Sequence, residues 1–352
     1  MKRVLLVGNF LSAALVYGSV GEDLARRLTA RGWSVEMTSR RVGRAARLLD
    51  MVGTVLARRN RYEVAHVDVF SGPAFLWAEA VCFALRRVGK PYALTLRGGD
   101  LPAFARRRPG RIRRLLGSAR TVTSPSRYLL EQMRPYRADI RLLTNPLDVG
   151  GYQFTLRSKP GPRLVWLRAF HDIYNPSLVP AVIAQLGEIP DLRCSMVGPD
   201  KGDGSLQRAQ QRADALGVRG RMTFPGPVPK TAVGQTLNGG DIFLNTSNID
   251  NTPTSVLEAM ACGLCVVSTN VGGIPYLLDD GADALLVPPD DPVAMAAAVR
   301  RLLHEPGLAP RLSEQGRRKV ETFDWSHLLP RWEELFQELG ESPKIRSFQE
   351  SL

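Results

Sequence analysis

Between Asn245 and Gly263 the chain reads Asn-Thr-Ser-Asn-Ile-Asp-Asn-Thr-Pro-Thr-Ser-Val-Leu-Glu-Ala-Met-Ala-Cys-Gly. Thr252 is a good helix N-cap, and Pro253 suits a first helical position, where its missing N–H leaves no bond unmade. Val256, Leu257, Ala259, Met260 and Ala261 continue as an apolar helix, and Gly263 stops it. The amides of Thr254 and Ser255 are then free at the positive end of the helix dipole, an arrangement that favours phosphate. Glu258 follows Thr254 by four residues on the same face, and helical side chains lean toward the N-terminus. Its carboxylate can reach the same ligand and accept two hydrogen bonds from a ribose diol. The same residues also suit a capped surface helix with Glu258 in water, and spacing alone leaves both readings open.

The elements around this stretch are those of a parallel sheet. Val4–Val7, Val35–Thr38, Val64–Val67, Tyr92–Leu96, Thr121–Thr123 and Ile140–Leu143 are short apolar runs separated by helical segments, the first of them Gly18–Ala30. Continuous apolar strands alternating with helices predict a sheet covered on both faces. Residues 151–162 are polar and rich in Pro and Gly and read as a linker. A second series follows: Leu164–Leu167, Arg193–Val197, Met222–Phe224, Ile242–Leu244, Cys265–Ser268 and Ala284–Val287. The expectation is an α/β chain of two doubly wound domains. Ligands in such sheets bind beyond the carboxyl ends of the strands, so a cleft between the domains is the expected site.

With these residues in view the sequence resembles glycosyltransferase family 4, the retaining enzymes of the GT-B fold (glycosyl transferases group 1). Asp250 and Glu258, with seven residues between them, resemble that family's E-x7-E motif. Glu258-Ala-Met-Ala-Cys-Gly-Leu-Cys-Val-Val-Ser resembles its E-A-M-A-x-G-x-P-V-V block. Thr269-Asn-Val-Gly-Gly-Ile-Pro, Asp280-Gly-Ala-Asp-Ala-Leu-Leu-Val-Pro-Pro-Asp-Asp, Phe323-Asp-Trp-Ser-His and Trp332-Glu-Glu-Leu-Phe continue the likeness. In the first half, Gly18-Ser19 fits a glycine-containing phosphate turn, and Asn145-Pro-Leu-Asp-Val-Gly-Gly-Tyr152 fits N-x-x-D-x-x-x-F.

The resemblance implies a GT-B fold, two Rossmann-like domains facing across a cleft: residues 1–155 on the acceptor side, 163–322 for the nucleotide sugar, and closing helices over 323–340 that pack back toward the first. It implies that Glu258 binds the donor ribose and that Asp250 holds hydroxyls of the transferred sugar. The amides of Thr254 and Ser255 would hold the diphosphate, with Gly18 and Ser19 contacting it from the first domain. The loop Phe224-Pro-Gly-Pro-Val228 would face the base, beside the glycine-rich loop from Gly198 to Gly204. Arg168 resembles the family's diphosphate-binding arginine. The lysine that usually follows it is missing from Arg168-Ala-Phe-His-Asp-Ile-Tyr-Asn, which leaves His171, Tyr174 and Asn175 as substitutes. Arg97 stands where the family often has histidine; it can bind an anion but cannot act as a base, and a purely structural arginine at a strand end is the alternative. The implied reaction moves a sugar from a UDP- or GDP-linked donor to a hydroxyl acceptor, with no protein nucleophile, no metal and no cofactor. A donor phosphate oxygen would activate the acceptor.

The chain has 352 residues, 47 Lys and Arg and 34 Asp and Glu, for a net charge of +13. Residues 1–150 hold 27 of those cations and only 11 of the acids, so the first half is the side for an anionic partner. Phe104-Ala-Arg106-Arg-Arg-Pro-Gly-Arg-Ile-Arg-Arg-Leu-Leu mixes arginines with apolar residues. It suits either an anionic membrane surface near a lipid-linked or polysaccharide acceptor, or a solvated cationic helix. No nucleic-acid module is present. Cys82, Cys194, Cys262 and Cys265 have no metal spacing, and the Cys262-x-x-Cys265 turn is flanked by apolar residues, which suits packing rather than redox work. His66, His304 and His327 have no clustered partners, and Asp279-Asp280 and Asp290-Asp291 read as solvated turns. Met1–Gly8 is too short for a secretion signal and reads as a strand, which implies a cytoplasmic protein, peripheral at the inner face of the membrane if the basic half docks there. A catalytically silent sugar-nucleotide binder, motivated by the missing lysine, and an epimerase or phosphorylase of the same fold are the rival readings.

Overall fold

Tyr92–Leu96, Ile242–Asn245 and Cys265–Thr269 are buried along their whole length, the mark of strands covered on both faces. The computed structural model of the chain describes residues 2–10 and 20–341. Two compact units emerge. The first comprises Met1–Pro125, Leu129–Thr144 and the chain from Ser326 on; the second comprises Ser126–Tyr128 and Asn145–Trp325.

The first unit runs β1 (Arg3–Val7), α1 (Val20–Ala30), β2 (Ser34–Thr38), α2 (Arg44–Ala57), β3 (Val64–Val69), α3 (Ala74–Arg87), β4 (Tyr92–Leu96), α4 (Leu101–Arg107), α5 (Pro109–Gly117), β5 (Thr121–Ser124), α6 (Arg127–Met133) and β6 (Arg141–Leu142). Its described strands form one parallel sheet in the order β2-β1-β3-β4-β5-β6. The connections β2→β3, β3→β4 and β4→β5 all step in one direction. Right-handed crossovers therefore lay α2, α3 and the α4–α5 pair on one face, and α1, whose connection steps the other way, on the opposite face. The core on the first of these faces joins Val55, Phe75, Val81, Leu85, Ile112 and Leu116 to the strands.

The second unit runs β7 (Arg163–Leu167), α7 (Leu178–Gln185), β8 (Arg193–Val197), α8 (Ser205–Ala215), β9 (Met222–Gly226), α9 (Val233–Asn238), β10 (Ile242–Asn245), α10 (Thr254–Ala261), β11 (Cys265–Thr269), α11 (Ile274–Leu277), β12 (Leu285–Val287), α12 (Pro292–His304) and α13 (Leu308–Glu321). Its sheet is again parallel, in the order β12-β11-β10-β7-β8-β9. The order reverses at β7 and β10, so the loops after Leu167 and Asn245 emerge side by side at the switch point where doubly wound sheets take ligands. Residues 151–162 belong to this unit. Arg157 is buried there and donates to the Gly240 carbonyl at 2.8 Å, with its ion-pair partner Asp241 3.2 Å away. The last helix, α14 (Trp325–Gly340), enters the first unit, where Trp332 packs edge-on against His66 and Phe336 against Trp33. No helix among the described residues is long and apolar enough to cross a membrane.

Candidate functional site

The helix start at the centre of the sequence reading differs by one position from expectation. α10 begins at Thr254, its cap is Pro253 in extended conformation, and no side chain caps it; Thr252 does not do so. The Pro253 carbonyl takes the first helical bonds, from Val256 and Leu257, so proline fills the cap by its fixed φ alone. The amino end of the helix keeps its positive character, and the Ser255 hydroxyl beside it is buried with no hydrogen-bond partner.

Glu258 is one turn further on and buried. Protein groups hold its carboxylate. The Tyr152 hydroxyl donates to Oε1 at 2.8 Å, and Lys230 forms an ion pair with the same oxygen. The Lys230 ammonium also stands 5.7 Å from the Tyr152 ring. Burial and the neighbouring Glu258 charge push the Tyr152 phenol far above its ordinary pKa, so Tyr152 acts only as a donor. Sequence reasoning missed both partners. Their signals were the hydroxyl that Tyr152 carries where the motif has phenylalanine, and a lysine in the loop after Val228. Val228 itself is half-buried against the core around Leu147, Tyr152 and Met260.

Arg168, at the end of β7, meets Asp250, in the loop after β10. Their side chains form an ion pair, mostly withdrawn from solvent. Asp250 is held on every side: Oδ2 also accepts from the Ser247 hydroxyl at 3.1 Å, and Oδ1 accepts from the Asn251 amide at 2.9 Å. The loop bearing it is clamped by a close approach of backbone. The Gly273 amide donates to the Asp250 carbonyl, and a Cβ at Gly272 or Gly273 would collide with the carbonyl oxygens of Asp250 and Asn251. That is why the Asn-Val-Gly-Gly turn carries paired glycines.

Three residues were candidates to replace the missing lysine, and the fold separates them. Tyr174 lies under Arg168, its ring centroid 4.2 Å from the guanidinium carbon. Asn175, left-handed at φ 46°, turns away and donates to Asp290 at 2.5 Å. The His171 ring accepts from the Ile173 amide at 3.2 Å and stands 3.9 Å from Asp203. Tyr174 is fixed because its carbonyl accepts from Thr246, whose oxygen accepts in turn from the Trp166 indole. The Arg168 Nε is buried without a partner. Gly198, at φ 152°, has no alternative: a Cβ there would occupy the position of the Arg168 carbonyl oxygen. The second unit thus gathers Arg168, Tyr174, Gly198, Asp250, Thr254, Ser255 and Glu258 on loops and a helix start beyond the strand ends.

Arg97 belongs to the first unit, at the carboxyl end of β4. Its Nε donates to Asp68 at 2.8 Å, and both side chains are largely buried. Below them His66 bonds Thr95 at 2.6 Å, and Thr95 bonds Thr123 at 2.7 Å. Burial lowers the His66 pKa to about 4; Asp68 opposes the shift and Arg97 adds to it. Gly18 and Ser19, expected at the phosphate, lie outside the described residues. The thiols of Cys262 and Cys265 are buried and pushed up to about 11 and about 12, chiefly by burial, which makes them poor nucleophiles. Among the described residues no group of three or more His, Cys, Asp or Glu is placed to hold a metal ion.

Residues 157–319 match the family model for glycosyl transferases group 1. The chain is 26% identical over 314 residues to D-inositol 3-phosphate glycosyltransferase of Rhodococcus jostii, covering 80% of this chain and 68% of that protein. It is 24% identical over 269 residues to the protein of that name from Streptomyces avermitilis, covering 71% of this chain but only 58% of the relative's length. Among solved structures, sucrose-phosphate synthase from Thermosynechococcus elongatus superposes with a TM-score of 0.80 at 18% identity, over 96% of this chain and 99% of that one. Anabaena HepE in complex with UDP gives 0.77 at 15% identity, over 96% and 100%. These likenesses extend over both units, and they agree with the two parallel sheets and with the block from Asp250 to Val267. Residues 157–319 thus carry the likeness to the glycosyl transferases of group 1, and the chain has the GT-B fold of these solved structures.

Proposed function

We propose that the protein transfers a glycosyl group from a nucleoside diphosphate sugar to a hydroxyl acceptor, with retention of anomeric configuration. The observation that carries this reading is the state of Glu258. It is buried one turn inside α10 and bonded through Oε1 to Tyr152 and Lys230, which leaves Oε2 for a ribose diol. The free amides and the unpaired Ser255 hydroxyl at the same helix start suit the diphosphate. Arg168 would meet the phosphate oxygens from β7, and stabilising the charge that grows there as the sugar departs is an electrostatic task. Tyr174, stacked on Arg168, takes the place of the family's lysine as a positioning group and adds no charge. Asp250 would hold sugar hydroxyls only where its bonds to Arg168 and Ser247 can be shared. In this scheme the protein supplies no nucleophile, a donor phosphate oxygen takes the acceptor proton, and no metal is needed. HepE, whose structures hold UDP and UDP-glucose, favours uridine over guanosine as the donor base. The curated relatives act, by their names, on an inositol phosphate. A phosphorylated or otherwise anionic acceptor suits the excess of cations in the first unit. A lipid-linked glycan at the inner face of the membrane is the second acceptor reading, supported by that same charge.

The test is a thermal-shift panel of UDP- and GDP-sugars, since a ligand that binds only the folded state raises its apparent stability, followed by product analysis with the donor that binds. Binding without turnover on any acceptor offered would favour a silent binder. Inverted product would remove the retaining assignment.

A further inference from the structure

The stretch Phe104–Leu116 reads either as a mixed arginine and apolar membrane surface or as a solvated cationic helix, and the fold gives its apolar side to the core. Leu101, Ala105, Ile112, Leu115 and Leu116 are core, and Arg106, Arg107, Arg108, Arg113 and Arg114 face outward. The exposed apolar surface of the first unit lies beside them, on α2 and α3. Leu49 is 74% exposed, Leu76 55% and Phe83 52%, with Leu56 also exposed. Leu49 and Leu56, seven residues apart, share one stripe of α2; Leu76 and Phe83, also seven apart, share one stripe of α3. Between the two helices runs a groove of about 550 Å³ lined by Val52, Leu56, Leu76, Ala80 and Phe83.

Neither helix needs these side chains for its own packing. α2 already buries Met51 and Val55, and α3 buries Phe75, Ala78, Val81 and Leu85. A contiguous apolar strip left outside a satisfied core marks a contact surface.

The charge around the strip says which kind. The acid that borders the groove, Glu79, is neutralised by an ion pair with Arg111 of α5. Arg87 lines the groove and stacks on Phe83, its guanidinium carbon 4.9 Å from the ring. Right-handed crossovers put the outward arginines of α4 and α5 on this same face. An apolar strip flanked by cations is complementary to an anionic lipid interface, where apolar side chains enter the acyl boundary and arginines stay among the headgroups.

We propose that the α2–α3 face docks on an anionic bilayer, with Leu49, Leu56, Leu76 and Phe83 as the inserting side chains and the arginines of α4–α5 as the headgroup contacts. The inference assumes nothing about the reaction, because docking needs no donor.

The test is sedimentation of the full chain with vesicles of phosphatidylcholine alone and of phosphatidylcholine mixed with phosphatidylglycerol, at low and moderate salt. The wild type should pellet with the anionic vesicles and stay in solution with the neutral ones. The triple variant Leu56→Ser, Leu76→Ser, Phe83→Ser should bind anionic vesicles about tenfold more weakly or less, given the apolar area it withholds from the interface. Its substitutions are at exposed positions, and an unchanged melting temperature verifies the fold. Arg107→Gln with Arg108→Gln should lower binding at low salt and flatten its salt dependence, without touching the strip. Wild-type protein that ignores anionic vesicles at low salt, or a folded triple variant that binds as the wild type does, overturns the proposal. So does a dimer that dissociates in the triple variant while neither form binds vesicles, which would give this face to a second copy of the chain.

Discussion

Tyr152 reaches Glu258 across 106 positions of sequence to place a 2.8 Å hydrogen bond on Oε1. A buried carboxylate held at one oxygen cannot rotate freely, so the other oxygen faces a fixed direction. Tyr152→Phe removes the donor and leaves the ring. Donor affinity should fall about fivefold, on the order of 1 kcal/mol for one hydrogen bond, with kcat little changed, because a ribose on Glu258 would be held equally in ground and transition states. The sharper readout is the preference for a ribonucleotide over its 2′-deoxy analogue, measured by calorimetry. Wild-type protein should prefer the ribonucleotide, and Tyr152→Phe should narrow that preference. A wild type blind to the 2′-hydroxyl would remove Glu258 from the ribose. A preference that survives intact in the variant would remove only Tyr152's positioning role.

Glu258→Ala is the companion change. Loss of hydrogen bonds to a charged acceptor should weaken nucleotide-sugar binding by about 1.5–3 kcal/mol. Unchanged affinity in a folded variant would end the ribose assignment.

Metal independence is the prediction that tests how the diphosphate is held. If Arg168 and the start of α10 hold the diphosphate, with Lys230 engaged by Glu258, transfer should continue in EDTA. Complete loss on chelation, restored by Mg²⁺ or Mn²⁺, would mean that a metal ion does what is assigned here to the arginine.

His66 offers a pH test in the first unit. Its pKa is lowered to about 4, mainly by burial, while an unfolded histidine titrates near 6.5. Between these values the unfolded chain binds the extra proton, so stability should be full at neutral pH and decline as pH falls through 6.5 toward 4. At pH 5 the loss is about 2 kcal/mol by linkage. His66→Gln can keep a bond to Thr95 and cannot titrate. Its denaturation midpoint should fall less between pH 7 and pH 5 than the wild type's, and an equal fall in both would show that His66 is not the group responsible.

These long-range partners explain what the sequence could and could not disclose. The strands were legible because both faces of each must be apolar: Tyr92–Leu96 and Cys265–Thr269 have no polar side to present. Asp250, Ser255 and Glu258 were legible because they lie within one short block, where local spacing fixes geometry. Tyr152 and Lys230 come from separate loops, and only the folded chain brings them to Glu258. The helix cap slipped by one residue because Thr252 and Pro253 both carry start signals, and the proline's fixed φ prevailed. The outer stripe of α2 was hidden because Leu48, Leu49, Met51, Val52, Val55 and Leu56 cover most of the helix circumference, so periodicity could not divide buried from exposed.

The last prediction concerns Arg168, whose charge is already engaged. In this structure its guanidinium is paired with Asp250 and stacked on Tyr174, and its Nε is buried without a partner. A diphosphate arriving at α10 would meet an arginine partly neutralised by an aspartate, so Asp250 holds the fork in position but weakens its pull on a ground-state anion. Two variants separate these effects. Arg168→Ala should lower kcat about 10²-fold, on the order of 3 kcal/mol, as when one preorganised donor to a developing charge is removed. Arg168→Lys should recover only part of this, because an ammonium cannot offer two parallel bonds. Asp250→Asn keeps the shape and frees the full charge of Arg168. It should bind the nucleoside diphosphate several-fold more tightly, since an opposing charge a few ångströms away has gone, and yet transfer more slowly, because the fork is no longer held. Tighter product binding with slower transfer is the signature of Asp250 as a positioning residue for Arg168. If Asp250→Asn leaves nucleoside diphosphate affinity unchanged and raises only KM for the sugar donor, Asp250 is reading sugar hydroxyls instead. If Arg168→Ala raises KM with kcat intact, the arginine binds ground and transition states alike, and stabilising the leaving group falls to the amides of Thr254 and Ser255.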